Sequence, residues 1–388
     1  MLLIKNGKIK TMEGKDFDNA SVLIEDGKIK AIGTDIKVPE NAKVIDAGGM
    51  LVMPGFIDAH THLGVANSAM RWEGADYNET TTDPVTPHMR TIDAINAFDE
   101  SFQDTIEGGV TCVATSPGSA NVIGGQIAII KTGGSTRADD LVVKFPAGMK
   151  CALGENPKNA YGQSKKVSPS TRMGTAAIFR EAFYKAKEYL EKKTNAEEGK
   201  KPDFNIKYEA MIPVLQREIP IHIHAHRADD IHTAIRLIKE FNIRAIIIHC
   251  SDGHLITDSL KEAGFPTIIG PTLGFKSKPE VKNKTFETAG ELVKAGIVTC
   301  ITTDHPVIPL QHLNVCAALC VQAGMDEEEA LKAITIYAAK VLGLDGRIGS
   351  IKEGKDADIV IWDRNPIEAT ARAMYTIIDG KVVYERNV

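Results

Sequence analysis

Long apolar runs are missing from these 388 residues. A helix that crosses a bilayer takes ~20 mostly apolar residues, so no membrane partner is expected. The opening Met1-Leu2-Leu3-Ile4-Lys5-Asn6-Gly7 meets a charge and a turn before the apolar region of a signal peptide could form. A soluble, cytoplasmic protein is the expectation. An excess of one charge is missing too: 46 Lys plus Arg stand against 51 Asp plus Glu, a formal net charge of −5. That balance provides no broad basic surface, so nucleic acid is not an expected partner. Cysteine is sparse. Cys112, Cys151, Cys250, Cys300, Cys316 and Cys320 are scattered, mostly in apolar stretches, with no CxxC pair, and free buried thiols are expected. Cys316 and Cys320, one helical turn apart, read as core.

What is present begins with an echo. Ile4-Lys5-Asn6-Gly7-Lys8-Ile9, Ile24-Glu25-Asp26-Gly27-Lys28-Ile29 and Ile378-Asp379-Gly380-Lys381-Val382 share one pattern. Asn-Gly or Asp-Gly between short β-rich runs marks a hairpin, because both turn residues tolerate positive φ. Neither terminal segment is large enough to bury a sheet alone. Residues 1–52 and 344–388, with a further strand at Ala357-Asp358-Ile359-Val360-Ile361-Trp362, are therefore expected to pair into one small β-sandwich.

Between residues 53 and 343 the pattern changes to short apolar runs alternating with amphipathic helices, which reads as repeated βα units around a parallel sheet. Strands are expected at 55–60, 110–114, 219–224, 245–249, 267–269 and 297–302, and helices at 176–192, 229–241, 285–295 and 326–342. So many units in one chain close more readily into a (β/α)₈ TIM-like barrel than into an open sheet, giving an α/β fold. Between Pro157 and Arg217 there is helix and loop but no strand, and the fourth barrel strand has no evident position.

Histidines and acids fall where such a barrel assembles its chemistry, at the carboxyl ends of strands. His60 and His62 end the first strand, His224 and His226 another, His249 a third, and Asp304 a fourth. A His-x-His pair in extended chain sets both rings on one face, and two neutral imidazoles so placed suit a borderline divalent ion such as zinc. His222, His224 and His226 share one face but cannot all be ligands. His224, at the strand end, is the expected one, with His226 behind it or near substrate and His222 a core residue bonded to backbone. Asp304 can bind metal, take the proton of an attacking water and return it to a leaving nitrogen; the plainer alternative is a helix N-cap. His254 reads either as a contact to substrate or as an exposed loop residue. Arg227 can meet a substrate carboxylate or pair with Asp229 or Asp230.

Together these residues resemble the amidohydrolase superfamily, and most closely its imidazolonepropionase-like and metal-dependent dipeptidase members. The resemblance spans essentially the whole chain and is carried most specifically by Pro54-Gly55-Phe56-Ile57-Asp58-Ala59-His60-Thr61-His62 and by Gly349-Ser350-Ile351-Lys352-Glu353-Gly354-Lys355-Asp356-Ala357-Asp358-Ile359-Val360. It implies one or two divalent ions, zinc foremost, with His60, His62 and Asp304 on the more buried ion and His224 and His249 on the second. It also implies a bridging carboxylate, either a glutamate or a carbamylated lysine. Within Met149-Lys150-Cys151-Ala152-Leu153-Gly154-Glu155-Asn156-Pro157 both Lys150 and Glu155 are candidates, and Glu155 is preferred because it lies toward the carboxyl end, where the other ligands converge. The implied activity is hydrolysis of an amide-type C–N bond, in a cyclic amide or imidazolone, an N-acyl amino acid or a dipeptide, by metal-activated hydroxide, with Asp304 and His249 as catalytic residues. Deamination of a ring, sugar N-deacetylation and a non-catalytic paralogue are the alternatives. A small-molecule substrate is the expected partner, self-association stays open, and the loops at 64–90, 117–135 and 156–175, which would choose the substrate, carry no legible motif.

Overall fold

The computed structural model describes residues 1–69, 71–80, 83–197 and 201–387. Parts of the expected 64–90 loop, at residues 70, 81 and 82, lie outside the described residues. Five strands open the chain: Leu2–Ile9 (β1), Phe17–Glu25 (β2), Lys28–Gly33 (β3), Lys43–Asp46 (β4) and Leu51–Pro54 (β5). Eight follow in the middle: Phe56–Thr61 (β6), Val110–Thr115 (β7), Ile123–Lys131 (β8), Val142–Ala152 (β9), Ile221–Ala225 (β10), Ala245–His249 (β11), Thr267–Ile269 (β12) and Thr299–Ile301 (β13). Ile359–Trp362 (β14), Ala373–Ile378 (β15) and Lys381–Glu385 (β16) close it.

Both ends of the chain enter one sheet, in the order β16-β15-β14-β5-β1-β2-β3 with β4 also on β1. The strand that joins them is β5, parallel to β1 on one side and antiparallel to β14 on the other. Two of the three echoed motifs are hairpins. Asp26 and Gly27, at φ 48° and 77°, turn β2 into β3, and Asp379 and Gly380, at 47° and 73°, turn β15 into β16. Asn6-Gly7 is not a hairpin, contrary to the pattern. It lies inside β1, where the register to β2 shifts, and a Cβ on Gly7 would stand 2.5 Å from a Val52 methyl. Here the glycine serves close approach of two strands rather than a turn.

The middle strands form a second, nearly closed sheet in the order β13-β12-β11-β10-β9-β8-β7-β6. Strands β6, β7 and β9 through β13 are buried over most or all of their length, as expected where one face looks into a barrel and the other lies under helices. One departure from a pure βα repeat is clear: β8 runs antiparallel to both β7 and β9. The hairpin β8–β9 supplies the strands that could not be placed from sequence, and it explains why none lies among the described residues between Pro157 and Arg217. That stretch instead holds the helices Arg172–Asn195 and Ile206–Leu215. The long helix expected over 326–342 is two, Glu327–Ala333 and Ile336–Leu342. It breaks where the carbonyl of Ile334 accepts a hydrogen bond from the amide of Ile57 at 2.8 Å, leaving the helical ladder for a barrel strand.

The first and last barrel strands are tied by side chains. Buried Asp58 accepts hydrogen bonds from the Thr302 hydroxyl (2.6 Å), the Thr303 amide (2.8 Å) and the Thr303 hydroxyl (2.7 Å). Burial pushes the Asp58 carboxyl up to about 6, against those bonds. The amide of His62 also donates to the carbonyl of His305 at 2.9 Å. These contacts set the His-x-His segment beside the Asp304 corner. All six cysteines are free and buried, and no described helix is long and apolar enough to cross a membrane.

Candidate active site

Six buried donors meet at the carboxyl ends of four barrel strands. They form two groups, His60 with His62 and Asp304, and His224 with His226 and His249, and within each group the donor atoms lie within 4.8 Å of one another. The backbone explains how each arrives. His60 and His62 alternate out of β6 onto one face. Asp304 follows β13 with φ 53°, and His249 ends β11 with φ 71°. Such left-handed corners are sparsely populated for side-chain-bearing residues and cluster at functional sites.

The hydrogen bonds fix which nitrogen each ring offers. A carbonyl can only accept, so His62 donates Nδ1–H to Ser116 O (2.8 Å) and His249 donates Nδ1–H to Gly270 O (2.7 Å). Each neutral ring then carries its lone pair on Nε2. The Ser116 hydroxyl donates to Pro117 O (2.9 Å) and accepts from His60 Nδ1 at 3.4 Å, with the same outcome. Burial holds His60 down to about 3, with the Lys150 charge adding to it, and holds His222, His224, His226 and His249 well below the usual imidazole range. Those five rings are therefore neutral. His60 Nε2 and His62 Nε2 face Asp304 Oδ1 at 3.2 and 3.4 Å, lone pair toward carboxylate. A divalent cation among them turns that repulsion into coordination, and neutral imidazoles with a carboxylate are the donors such an ion takes. His224 Nδ1, buried without a partner, adds a further open lone pair. The residues fit a metal.

Lys150 and Glu155 separate in the structure. Lys150 is wholly buried in β9, and its Nζ lies 3.2 Å from His60 Nε2. Burial lowers its ammonium to about 7. Glu155 belongs to neither donor group. Strand β9 ends at Ala152, Gly154 turns the chain away at φ 78°, and Glu155 starts a short helix where it accepts from Asn159 Nδ2 at 3.3 Å. Strand β9 thus stops too soon to carry Glu155 into either donor group, while the four-carbon stem of Lys150 brings its Nζ beside His60.

The remaining expected residues divide. His226 joins the second group, its Nδ1 2.7 Å from the Ser251 hydroxyl. His222 is buried with neither ring nitrogen partnered, in place of the backbone bond expected for it. Arg227 makes a two-pronged pair with Asp229 (2.9 and 2.8 Å), and His254 is bonded to the Thr288 hydroxyl at 2.9 Å. Neither lines the cavity above the donors, whose volume is about 490 Å³. The three expected loops contribute Tyr77, Asn78, Ser119, Asn156 and Asn159 to it, and a fourth, unforeseen one adds Pro271, Phe275, Ser277, Lys278, Val281 and Lys284. The same loop carries Glu280, 1% exposed, 3.2 Å from His224 Nε2. Sequence reasoning missed Glu280 because it sits amid Lys276, Lys278, Lys282 and Lys284, a pattern that reads as solvated loop.

The fold and site find relatives across their full extent. The family model of the Amidohydrolase family matches residues 51–383. The amidohydrolase tasK of Hapsidospora irregularis is 30% identical over 94% of this chain, although the match spans only 40% of tasK. An imidazolonepropionase of Caldanaerobacter subterraneus is 26% identical over 90% of this chain and 85% of its own length. A dihydroorotase of Geotalea daltonii is 25% identical, covering 100% of both. The crystal structure of an amidohydrolase from Thermotoga maritima superimposes with a TM-score of 0.96 at 42% identity, covering 100% of each chain. With a family match over that span and six buried donors gathered at a barrel mouth, the chain belongs to the amidohydrolase family, metal-dependent hydrolases of carbon–nitrogen bonds.

Proposed function

We propose that the chain opens an amide-type C–N bond in a small molecule, either a cyclic amide such as an imidazolone or an N-acyl amino acid or dipeptide, with zinc as its metal. The observation that carries this reading is the pair of donor groups with Lys150 beside them. His60, His62 and Asp304 would hold one ion, and His224 and His249 the other, with His226 beside them. Lys150 is proposed as the bridge. Buried and lowered to about 7, it has a substantial fraction of neutral amine near neutrality, the form whose lone pair adds to carbon dioxide; loss of one proton then leaves a carbamate.

Bound divalent ions polarise a carbonyl and lower the pKa of a water toward neutrality. The chain's own residues do the rest. Asp304, an acceptor at the centre of the mouth, takes the water's proton and returns it to the departing nitrogen. The Ser116 and Gly270 carbonyls keep His62 and His249 in one tautomer, and the Ser116 hydroxyl does the same for His60. The substrate lies in the cavity between Tyr77 and Asn78 on one side and Lys278 and Lys284 on the other. The cyclic-amide substrate is in keeping with relatives named imidazolonepropionase and dihydroorotase. The terminal strands, closing over their own apolar cluster of Ile4, Val22, Ile24, Ile359 and Ile361, are proposed as a small β-sandwich of residues 1–52 and 344–388 that braces the barrel of residues 53–343.

Elemental analysis of protein purified without chelator tests the reading, with one to two equivalents of zinc or a similar ion expected. A folded preparation that holds no metal and takes none up on titration would overturn it.

A further inference from the structure

Glu280 reaches the metal-type donors from a loop on the far side of the cavity, and both of its carboxylate oxygens already have partners in the protein. Its Oε1 lies 3.2 Å from His224 Nε2 and 2.5 Å from Lys278 Nζ, and its Oε2 accepts the backbone N–H of Glu155 at 2.9 Å. His226 Nε2, at 3.7 Å, is beyond hydrogen-bond reach. The ammonium of Lys278 marks the carboxyl as ionised, so it can only accept. His224 must then be the donor at Nε2, which leaves its lone pair on Nδ1. That Nδ1 is the atom found buried without any partner.

The backbone is shaped around this carboxylate. A Cβ on Gly154 would stand 2.8 Å from Glu280 Oε2 and 3.0 Å from Asp230 Oδ2, and the φ of +78° there disfavours any side chain independently. Chain exit from β9, the ring at the end of β10 and the 270–284 loop thus converge on one group.

We infer that Glu280 is a positioning residue: it fixes the tautomer and orientation of His224 so that Nδ1, not Nε2, is offered to the metal. With an imidazole and an ammonium on Oε1 and an amide on Oε2, Glu280 is assigned to the ring rather than to the metal. Carboxylate partners of this kind typically govern metal affinity by about 10–100-fold. Because Lys278 on the same loop lines the cavity, the substrate wall and the metal-binding ring share one anchor.

This inference rests on the metal-hydrolase reading, and its test separates the two. Cobalt(II) titrated into Glu280→Gln should bind about 10–100-fold more weakly than into the unchanged protein, with a shifted visible spectrum, because an amide supplies only one acceptor where two are used. Native affinity together with a native spectrum in Glu280→Gln would overturn the inference and leave the hydrolase reading standing. Uptake of no ion by the unchanged protein would overturn both. If the variant does not fold, the unchanged protein loaded with cadmium-113 and labelled with nitrogen-15 histidine decides the matter by NMR. Coupling of the ion to His224 Nδ1, with a proton retained on Nε2, is expected; coupling through Nε2 overturns the assignment.

Discussion

Lys150 Nζ stands 3.2 Å from His60 Nε2, and neither group has water to turn to, since both side chains are buried at the floor of the barrel mouth. Placing an ammonium beside an imidazole in a site without solvent is costly. Burial accordingly drives both toward their neutral forms, the lysine to about 7 and the histidine to about 3. A buried lysine with a substantial fraction of neutral amine, set among metal-type donors, is the group proposed above to add to carbon dioxide.

From this follows the outcome of two substitutions. Lys150→Met should lower metal stoichiometry and abolish turnover, while Glu155→Gln should keep both metal content and near-native turnover. Protein exchanged into carbon-13 bicarbonate should show a carbamate resonance that Lys150→Met lacks. A Glu155→Gln protein depleted of metal, or a labelled native protein without that resonance, would return the bridging role to the glutamate.

Asp304→Asn should retain the fold and much of the metal, because the bond that the Asp304 backbone amide donates to the Thr302 hydroxyl oxygen (3.0 Å) and the neighbouring contacts to Asp58 do not use the carboxylate. Its turnover should fall by roughly 10²-fold or more, the scale of general acid–base assistance. Steady-state kinetics on a cyclic-amide and N-acyl amino acid panel would check this, and unchanged turnover would place the proton elsewhere.

A third prediction concerns how the terminal sheet is held to the barrel. Lys131, at the end of β8, is buried with its Nζ 2.6 Å from Asp358, 3.2 Å from Asp356 and 3.0 Å from Asp379. Lys131→Met keeps the volume but leaves the buried Asp358 carboxylate without its cation. Removing one partner of a buried pair costs about 3–5 kcal/mol, so the urea midpoint should drop markedly. A change under about 1 kcal/mol, the scale of an exposed pair, would show that water already reaches this joint.

Local chemistry made much of the molecule legible in the sequence. Period-two alternation put His60 with His62, Asp-Gly pairs marked the turns at 26–27 and 379–380, and apolar runs capped by polar residues located β6, β7 and β10 through β13. These features depend on neighbours within a few residues, so the chain states them directly. What tertiary structure alone decided are the features set by depth and reversal. The antiparallel course of β8 leaves no periodic signature, since a buried strand reads the same in either direction. Asn6-Gly7 carries the hairpin pattern, yet it became a strand interior because Val52 packs against it. Glu155 appeared to end a strand until Gly154 turned the chain aside, and the long stem of Lys150 reached the donors from deeper within β9. Glu280, charged and flanked by lysines, is buried only because a loop 56 residues beyond His224 folds back over it. Its role exists in the pairing of the two and in neither stretch of sequence alone.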